Sequence, residues 1–230
     1  DLCRASGLSL GLGLEGHADA GAAAPANMGV VGALALGDLD EDGDLDIVGA
    51  TDGSAGEVVL WRRGGFLEAD ASWTDRRGVA CVVQVADCLP VLLAARNGRA
   101  VAAAHAGWRG LAAGVLDMTL DAVVRAAACA ACDVEVWLGP AIGPRQFEVG
   151  ADVPAAFGRA DAHRFAPRVH SDGGVRWLAD LAGLARDRLQ CAGVRSVSGG
   201  VWCTVEDPSR FFSFRRDRVT GRMAAAVWLT

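Results

Sequence analysis

The chain has 230 residues, 52% hydrophobic and 22% charged, with a formal net charge of −6. That balance excludes a disordered chain and leaves ample apolar surface for a core. No apolar run is long enough to cross a membrane, no basic leader opens the chain and no basic face suits a nucleic acid, so the expectation is a cytoplasmic protein that binds neither.

Charge is unevenly placed. Residues 1–63 hold 11 acidic against 3 basic side chains, and residues 64–230 hold 17 against 19, every basic one an arginine. This predicts two segments with a boundary at 63/64. The seven cysteines, Cys3, Cys81, Cys88, Cys129, Cys132, Cys191 and Cys203, are odd in number and irregular in spacing. They read as reduced, buried or catalytic thiols and not as a disulfide frame.

In the first segment, short strands are predicted at Val30-Val31, 33–36, Ile47-Val48 and 58–61. Between them lies Asp38-Leu39-Asp40-Glu41-Asp42-Gly43-Asp44-Leu45-Asp46. Alternating carboxylates with a glycine at the sixth place can supply several oxygens to calcium, which makes Asp38, Asp40, Asp42 and Asp46 candidate Ca2+ ligands. A helical EF-hand needs a glutamate at the twelfth place, and Gly49 stands there, so that reading fails. The loop and its strand-like flanks resemble one repeat of an FG-GAP (integrin-type) propeller, a β-rich acidic segment. One blade alone cannot bury its faces.

From residue 64 onward strands alternate with helices. Predicted strands cover 79–85, then 91–95 and 100–104 flanking the Asn97-Gly98 turn, then 134–138, stopped by Gly139-Pro140. Helices are predicted over 111–128, 153–159 and 177–190, and closing strands near 195–201, 211–214 and 223–229. The pattern is a mixed α/β domain.

Three constellations could carry chemistry. The first joins Ala86-Asp87-Cys88-Leu89-Pro90 to His105-Ala106-Gly107-Trp108-Arg109-Gly110 across the Asn97-Gly98 hairpin. Cys88 and His105 lie nine and eight positions from Asn97, near neighbours across an antiparallel pair. Thiolate beside imidazole makes either two legs of a zinc site or a Cys–His nucleophilic pair. A helix starting after His105 would offer free N–H groups to an anion, with Arg109 adding a bidentate fork. The second is the stiff loop 139–150, presenting Arg145, Gln146 and Glu148. The third is Phe211-Phe212-Ser213-Phe214-Arg215-Arg216-Asp217 with Thr220-Gly221-Arg222, where aromatics and arginines could stack a base and hold a phosphate.

Together these motifs, in this order and spacing, resemble the YfiH-like family, also called multicopper polyphenol oxidoreductase laccases or laccase-domain purine nucleoside phosphorylases, over residues 64–230. The resemblance implies a layered α/β/β/α sandwich shared with the cytotoxic necrotizing factor hydrolases. It also implies zinc-assisted phosphorolysis of adenosine, inosine, guanosine and methylthioadenosine, and hydrolytic deamination of adenosine. Cys88 and His105 match the family's zinc ligands, with copper as an alternative metal. Asp87, Arg109 and Glu148 become candidate catalytic residues, and Arg109, Arg215 and Arg216 candidate phosphate ligands. The partners expected are purine nucleosides and phosphate. The sequence departs from the family at its third ligand, a histidine in a His-Gly pair upstream of Glu68-Ala69-Asp70-Ala71: the one histidine there is His17. Two readings compete with this one, a Cys88–His105 hydrolase or amidase and a non-catalytic calcium-binding fusion.

Overall fold

The computed structural model describes residues 69–230 throughout and, upstream of them, the backbone of five strands. These are β1 (Leu8–Leu14), β2 (Val31–Gly37), β3 (Asp46–Thr51), β4 (Val58–Arg62) and β5 (Gly65–Ala69). Strands β2 to β5 form an antiparallel sheet in chain order. The candidate calcium ligands Asp38, Asp40 and Asp42, and His17, lie outside the described residues, and Asp46 is described only as the backbone that opens β3.

The frame that positions the site begins with β6 (Ala71–Thr74), β7 (Ala80–Val85), β8 (Leu89–Ala95) and β9 (Val101–Ala106). The β8–β9 hairpin forms where the sequence predicts it, with the Ala95 N–H donating to the Ala100 carbonyl at 3.0 Å. Asn97 helps to close it from outside: its side-chain amide donates 2.8 Å to the Ala127 carbonyl, an orphan acceptor at a helix end. Every residue of β9 is buried, because the strand is covered on both faces. Ala102, Ala104 and Ala106 face the helices, and Val101 and Ala103 face a second sheet.

After β9 come α1 (Trp108–Ala112) and α2 (Val115–Ala127). The sequence predicts one helix over 111–128. Gly114, at φ +93°, breaks it into a single turn and a longer helix. Next are β10 (Val134–Leu138), β11 (Glu148–Val149), α3 (Asp152–Phe157), β12 (Phe165–Val169) and β13 (Val175–Ala179). The chain closes with α4 (Leu181–Cys191), β14 (Ser196–Gly199), α5 (Phe214–Asp217) and β15 (Met223–Leu229). Two predicted elements are corrected here. Residues 175–179 are strand, and the helix begins only at Leu181, where the Asp180 carboxylate accepts the Gly183 N–H at 2.9 Å as an N-cap. Residues 214–217 are a helical turn and not strand, capped by Ser213, which accepts the Arg216 N–H at 3.1 Å.

The mixed α/β layered class holds. A five-stranded sheet, β14-β10-β8-β9-β6, carries α2 and α4 on one face and the sheet β1-β15-β7 on the other. Leu116, Leu120, Leu184 and Leu189 bury the helices against Val91, Leu93 and Val136, while Val83, Leu92, Val101 and Val227 fill the space between the sheets. A further sheet, β11-β13-β12, flanks loop 139–150. Among the described residues no helix is long and apolar enough to cross a membrane.

Candidate functional site

The site forms where the core between the sheets runs out, at the open end of the β8–β9 hairpin. The ladder pairs Pro90 with His105 and Leu89 with Ala106, so Cys88, one residue before the strand, falls opposite Gly107 and diagonal to His105 on one face. The near-neighbour relation expected from the sequence takes this diagonal form, and both side chains border the space beside Gly107. A Cβ built on Gly107 would stand 3.2 Å from Cys88 Sγ and 3.6 Å from His105 Cε1. A side chain there would fill the space the thiol and imidazole share.

His105 is buried, 6% exposed, and its Nδ1 lies 3.2 Å from Asp70 Oδ1. A carboxylate on one ring nitrogen orients the imidazole and leaves Nε2 for a metal or proton. The Cys88 thiol is pushed up to about 11, first by burial, then by the negative charges of Asp87 and Asp70, against a smaller downward pull from Arg222. As a free thiol it is protonated at neutral pH, which counts against a free Cys88 nucleophile.

Sulfur and imidazole nitrogen suit zinc in kind. In number they fall short: no group of three metal-capable side chains occurs among the described residues, and zinc sites use at least three protein ligands.

Asp87, just before Cys88, is at φ +90°, a strained conformation for an aspartate. Its carboxylate is buried and engaged on both oxygens, Oδ1 accepting the Thr204 hydroxyl at 2.6 Å and Oδ2 the Arg215 N–H at 2.6 Å. Glu148 pairs through Oε2 with His170 Nε2 at 3.1 Å and with Arg168 at 3.3 Å, and remains open to solvent.

The arginines separate into two kinds. Arg216 is consumed by the fold: its guanidinium donates to the Thr204 carbonyl at 2.7 Å, to the Phe211 carbonyl at 3.0 Å and to the Asp217 carboxylate at 2.7 Å. Arg215 is exposed, its guanidinium 5.5 Å from the Phe147 ring centroid and donating to the Glu148 carbonyl at 3.0 Å. Arg109 is exposed too, stacked 4.4 Å above the Trp108 ring. The helix beginning there has only five residues, so the dipole expected to hold an anion is small.

Asp70, Gly107, Thr204, Ser213 and Arg222 belong to this neighbourhood and were not singled out as site residues from sequence. Arg222 and Gly107 stood within the quoted motifs. Ser213 stood there too, and Asp70 in the quoted stretch 68–71, but neither Ser213 nor Thr204 carried a signal for its partner, because a buried hydroxyl's partner is set by tertiary folding alone.

The family model of the multi-copper polyphenol oxidoreductase laccases matches residues 45–230. Similar curated proteins include a purine nucleoside phosphorylase of Pseudomonas aeruginosa, 52% identical over 163 residues, and purine nucleoside phosphorylase YfiH of Escherichia coli, 50% identical over 164 residues. The matches cover 71% and 70% of this chain, which spans 66% and 64% of those two proteins, just under two thirds of each. Among solved structures, a Neisseria meningitidis protein has TM-score 0.66 at 49% identity, covering 73% of this chain and 67% of that one. A Bacillus licheniformis YfiH protein has TM-score 0.64 at 29% identity, covering 70% and 61%.

Proposed function

The chain belongs to the multi-copper polyphenol oxidoreductase laccase family, and from that premise we propose that it is a purine nucleoside phosphorylase whose reacting centre lies between Cys88, His105 and Arg215. The relatives' names support the reaction. The observation that carries the site is the convergence of the Cys88 thiol and the His105 ring on the space beside Gly107. The substrates in this reading are adenosine, inosine, guanosine and methylthioadenosine with inorganic phosphate, and adenosine is also hydrolytically deaminated.

In phosphorolysis a phosphate oxygen bonds to the anomeric carbon as that carbon's bond to the purine nitrogen breaks, and a proton ends on the departing base. The chain's part is placement and charge. Arg215 and Arg109, both exposed, are the side chains offered to phosphate, while Arg216 holds the loop that carries Arg215. Asp70 keeps the His105 ring in one orientation. Of the two carboxylates considered for moving protons, Glu148 is the accessible one, and Asp87 acts by holding the frame.

Zinc, or copper in its place, belongs to the proposal. Cys88 Sγ and His105 Nε2 would hold the ion together with a ligand from outside the described residues, and the bound ion would supply Lewis-acid polarisation or an activated water. The Asp loop at 38–46 is proposed as an FG-GAP-like calcium loop on the strength of its sequence alone, and the segment boundary at 63/64 is proposed from the charge distribution. A cytoplasmic address agrees with Cys81, Cys88, Cys129, Cys132, Cys191 and Cys203 being free thiols.

The test is to incubate the purified chain with adenosine, phosphate and zinc. Ribose-1-phosphate equal to the adenine and hypoxanthine released together is expected, the hypoxanthine arising from adenosine that is deaminated first. Absence of ribose-1-phosphate and of both bases, with and without zinc, would overturn the proposal.

A further inference from the structure

Asp87 combines three features that seldom occur together: a non-glycine residue at φ +90°, a buried carboxylate, and direct attachment to Cys88. Backbone strain of this kind persists only where the surroundings fix it. Three partners do so from distant parts of the chain. The Ile142 N–H donates to the Asp87 carbonyl at 2.9 Å, the Thr204 hydroxyl to Oδ1 at 2.6 Å and the Arg215 N–H to Oδ2 at 2.6 Å. Thr204 is completely buried, and its backbone is pinned as well, its N–H donating to the Ala141 carbonyl at 3.0 Å and its carbonyl accepting from Arg216 at 2.7 Å. Its hydroxyl is therefore held at one place and points at one acceptor.

On the other side of the carboxylate, α5 has four residues, far too few to hold a helical turn by itself. It is held at its start by Ser213, which takes the Arg216 N–H, and by Asp87, which takes the Arg215 N–H. Asp87 thus caps from a remote strand end the turn that carries the exposed Arg215 guanidinium.

We infer that Thr204 is a positioning residue for the anion-binding arm: its hydroxyl locks the Asp87 carboxylate, and through it fixes where Arg215 stands relative to Cys88 and His105. The inference rests on the reading of Arg215 as a phosphate ligand under the proposed function. Without the hydroxyl, Oδ1 loses its buried donor, the carboxylate is free to rotate, and the Arg215 amide loses a well-placed acceptor. Phosphate then meets an arm that samples several positions, while Cys88, His105 and the nucleoside side of the site keep their own contacts.

The experiment compares the 230-residue chain with Thr204→Ser, which keeps the hydroxyl, and Thr204→Val, which keeps the shape without it. Calorimetric titration with inorganic phosphate is run beside initial rates of adenosine phosphorolysis at varied phosphate and varied adenosine. For Thr204→Val, phosphate binding should weaken and the KM for phosphate rise by about tenfold, with kcat and the KM for adenosine within about twofold of the parent. Thr204→Ser should restore phosphate binding. Asp87→Asn, which turns one acceptor oxygen into a donor, should weaken phosphate binding in the same direction and serves if Thr204→Val does not fold. Unchanged phosphate affinity in the folded variant, a serine variant as impaired as the valine one, or a fall in kcat at constant KM would each overturn the inference. If the parent binds phosphate but releases no adenine, the enzymatic reading falls and the titration alone decides this one; if the parent binds no phosphate, this inference falls.

Discussion

Replacing Gly107 by alanine adds one methyl group at the point where Cys88 and His105 meet. The backbone there is ordinary, φ −65° and ψ 161°, so alanine adopts it without strain and the effect is confined to the neighbouring side chains. The new carbon would stand 3.2 Å from Cys88 Sγ and 3.6 Å from His105 Cε1. The second distance is normal contact; the first is inside it, so the thiol must withdraw by a few tenths of an ångström. Cys88 has little room to do so, being packed with Val85, Phe211 and Met223. Overpacking of one methyl at a partly open rim costs roughly 1 kcal/mol, and in a domain of this size that lowers the melting temperature by about 2–4 °C. In the proposed metal centre binding suffers more, since Cys88 is pushed off the point it would share with His105: a loss of about 10- to 100-fold in zinc affinity is expected, the range seen when metal ligands lose their orientation. Melting curves without metal, zinc competition titrations and phosphorolysis rates measure the three effects. An alanine variant with parental zinc affinity and parental rate would refute the claim that Cys88 and His105 work on one centre beside Gly107.

Four further predictions concern the site and the fold that holds it. Asp70→Asn removes the carboxylate charge that faces His105 Nδ1 and should weaken zinc binding by about tenfold with little change in melting temperature, read by the same competition titration. In metal-free protein, mass-mapped alkylation at neutral pH should label the exposed Cys191 well before Cys88, whose labelling should accelerate only as pH climbs towards about 11; rapid neutral labelling of Cys88 would revive the hydrolase reading. The same raised values make stability pH-dependent: Cys81 and Cys88 keep their protons in the fold up to about 11, whereas the unfolded chain releases them near 9.0, so the stability present below pH 9 should decline between those values, and Cys81→Val should reduce the slope in pH-dependent melts. Gly199→Ala, at φ +74° with its new carbon driven into the Leu138 carbonyl oxygen, should destabilise the fold by more than about 1 kcal/mol in denaturant titration and leave zinc affinity unaltered.

The parts of this molecule that were legible in the sequence are those governed by local pattern. Alternating and continuous apolar runs marked β7, β8, β9, β10 and β15, and the Asn97-Gly98 turn placed the hairpin correctly enough to bring Cys88 and His105 together. The pattern failed where one residue overrides its neighbours. Gly114 splits a helix whose apolar spacing continues through it, and Asp180 starts α4 only after a strand that shares helical spacing over 177–179. The phenylalanines at 211–214 suggest a strand, yet Ser213 and Asp87 capture consecutive amides and wind the chain into α5. Sequence also grouped Arg215 with Arg216, and only three-dimensional contacts show Arg216 spent on the carbonyls of Thr204 and Phe211 and Arg215 exposed, with one backbone carbonyl for a partner. Asp87 is a candidate catalytic carboxylate by sequence; only the folded chain shows both of its oxygens engaged, by the Thr204 hydroxyl and the Arg215 amide.

The most direct test of the account is the zinc content of the purified chain beside Cys88→Ser and His105→Gln, measured by elemental analysis after extensive dialysis. One zinc per chain in the parent, lost in both variants while their melting curves remain cooperative, is the predicted result. A parent without zinc, or variants that retain it in full, would contradict a metal centre shared by Cys88 and His105.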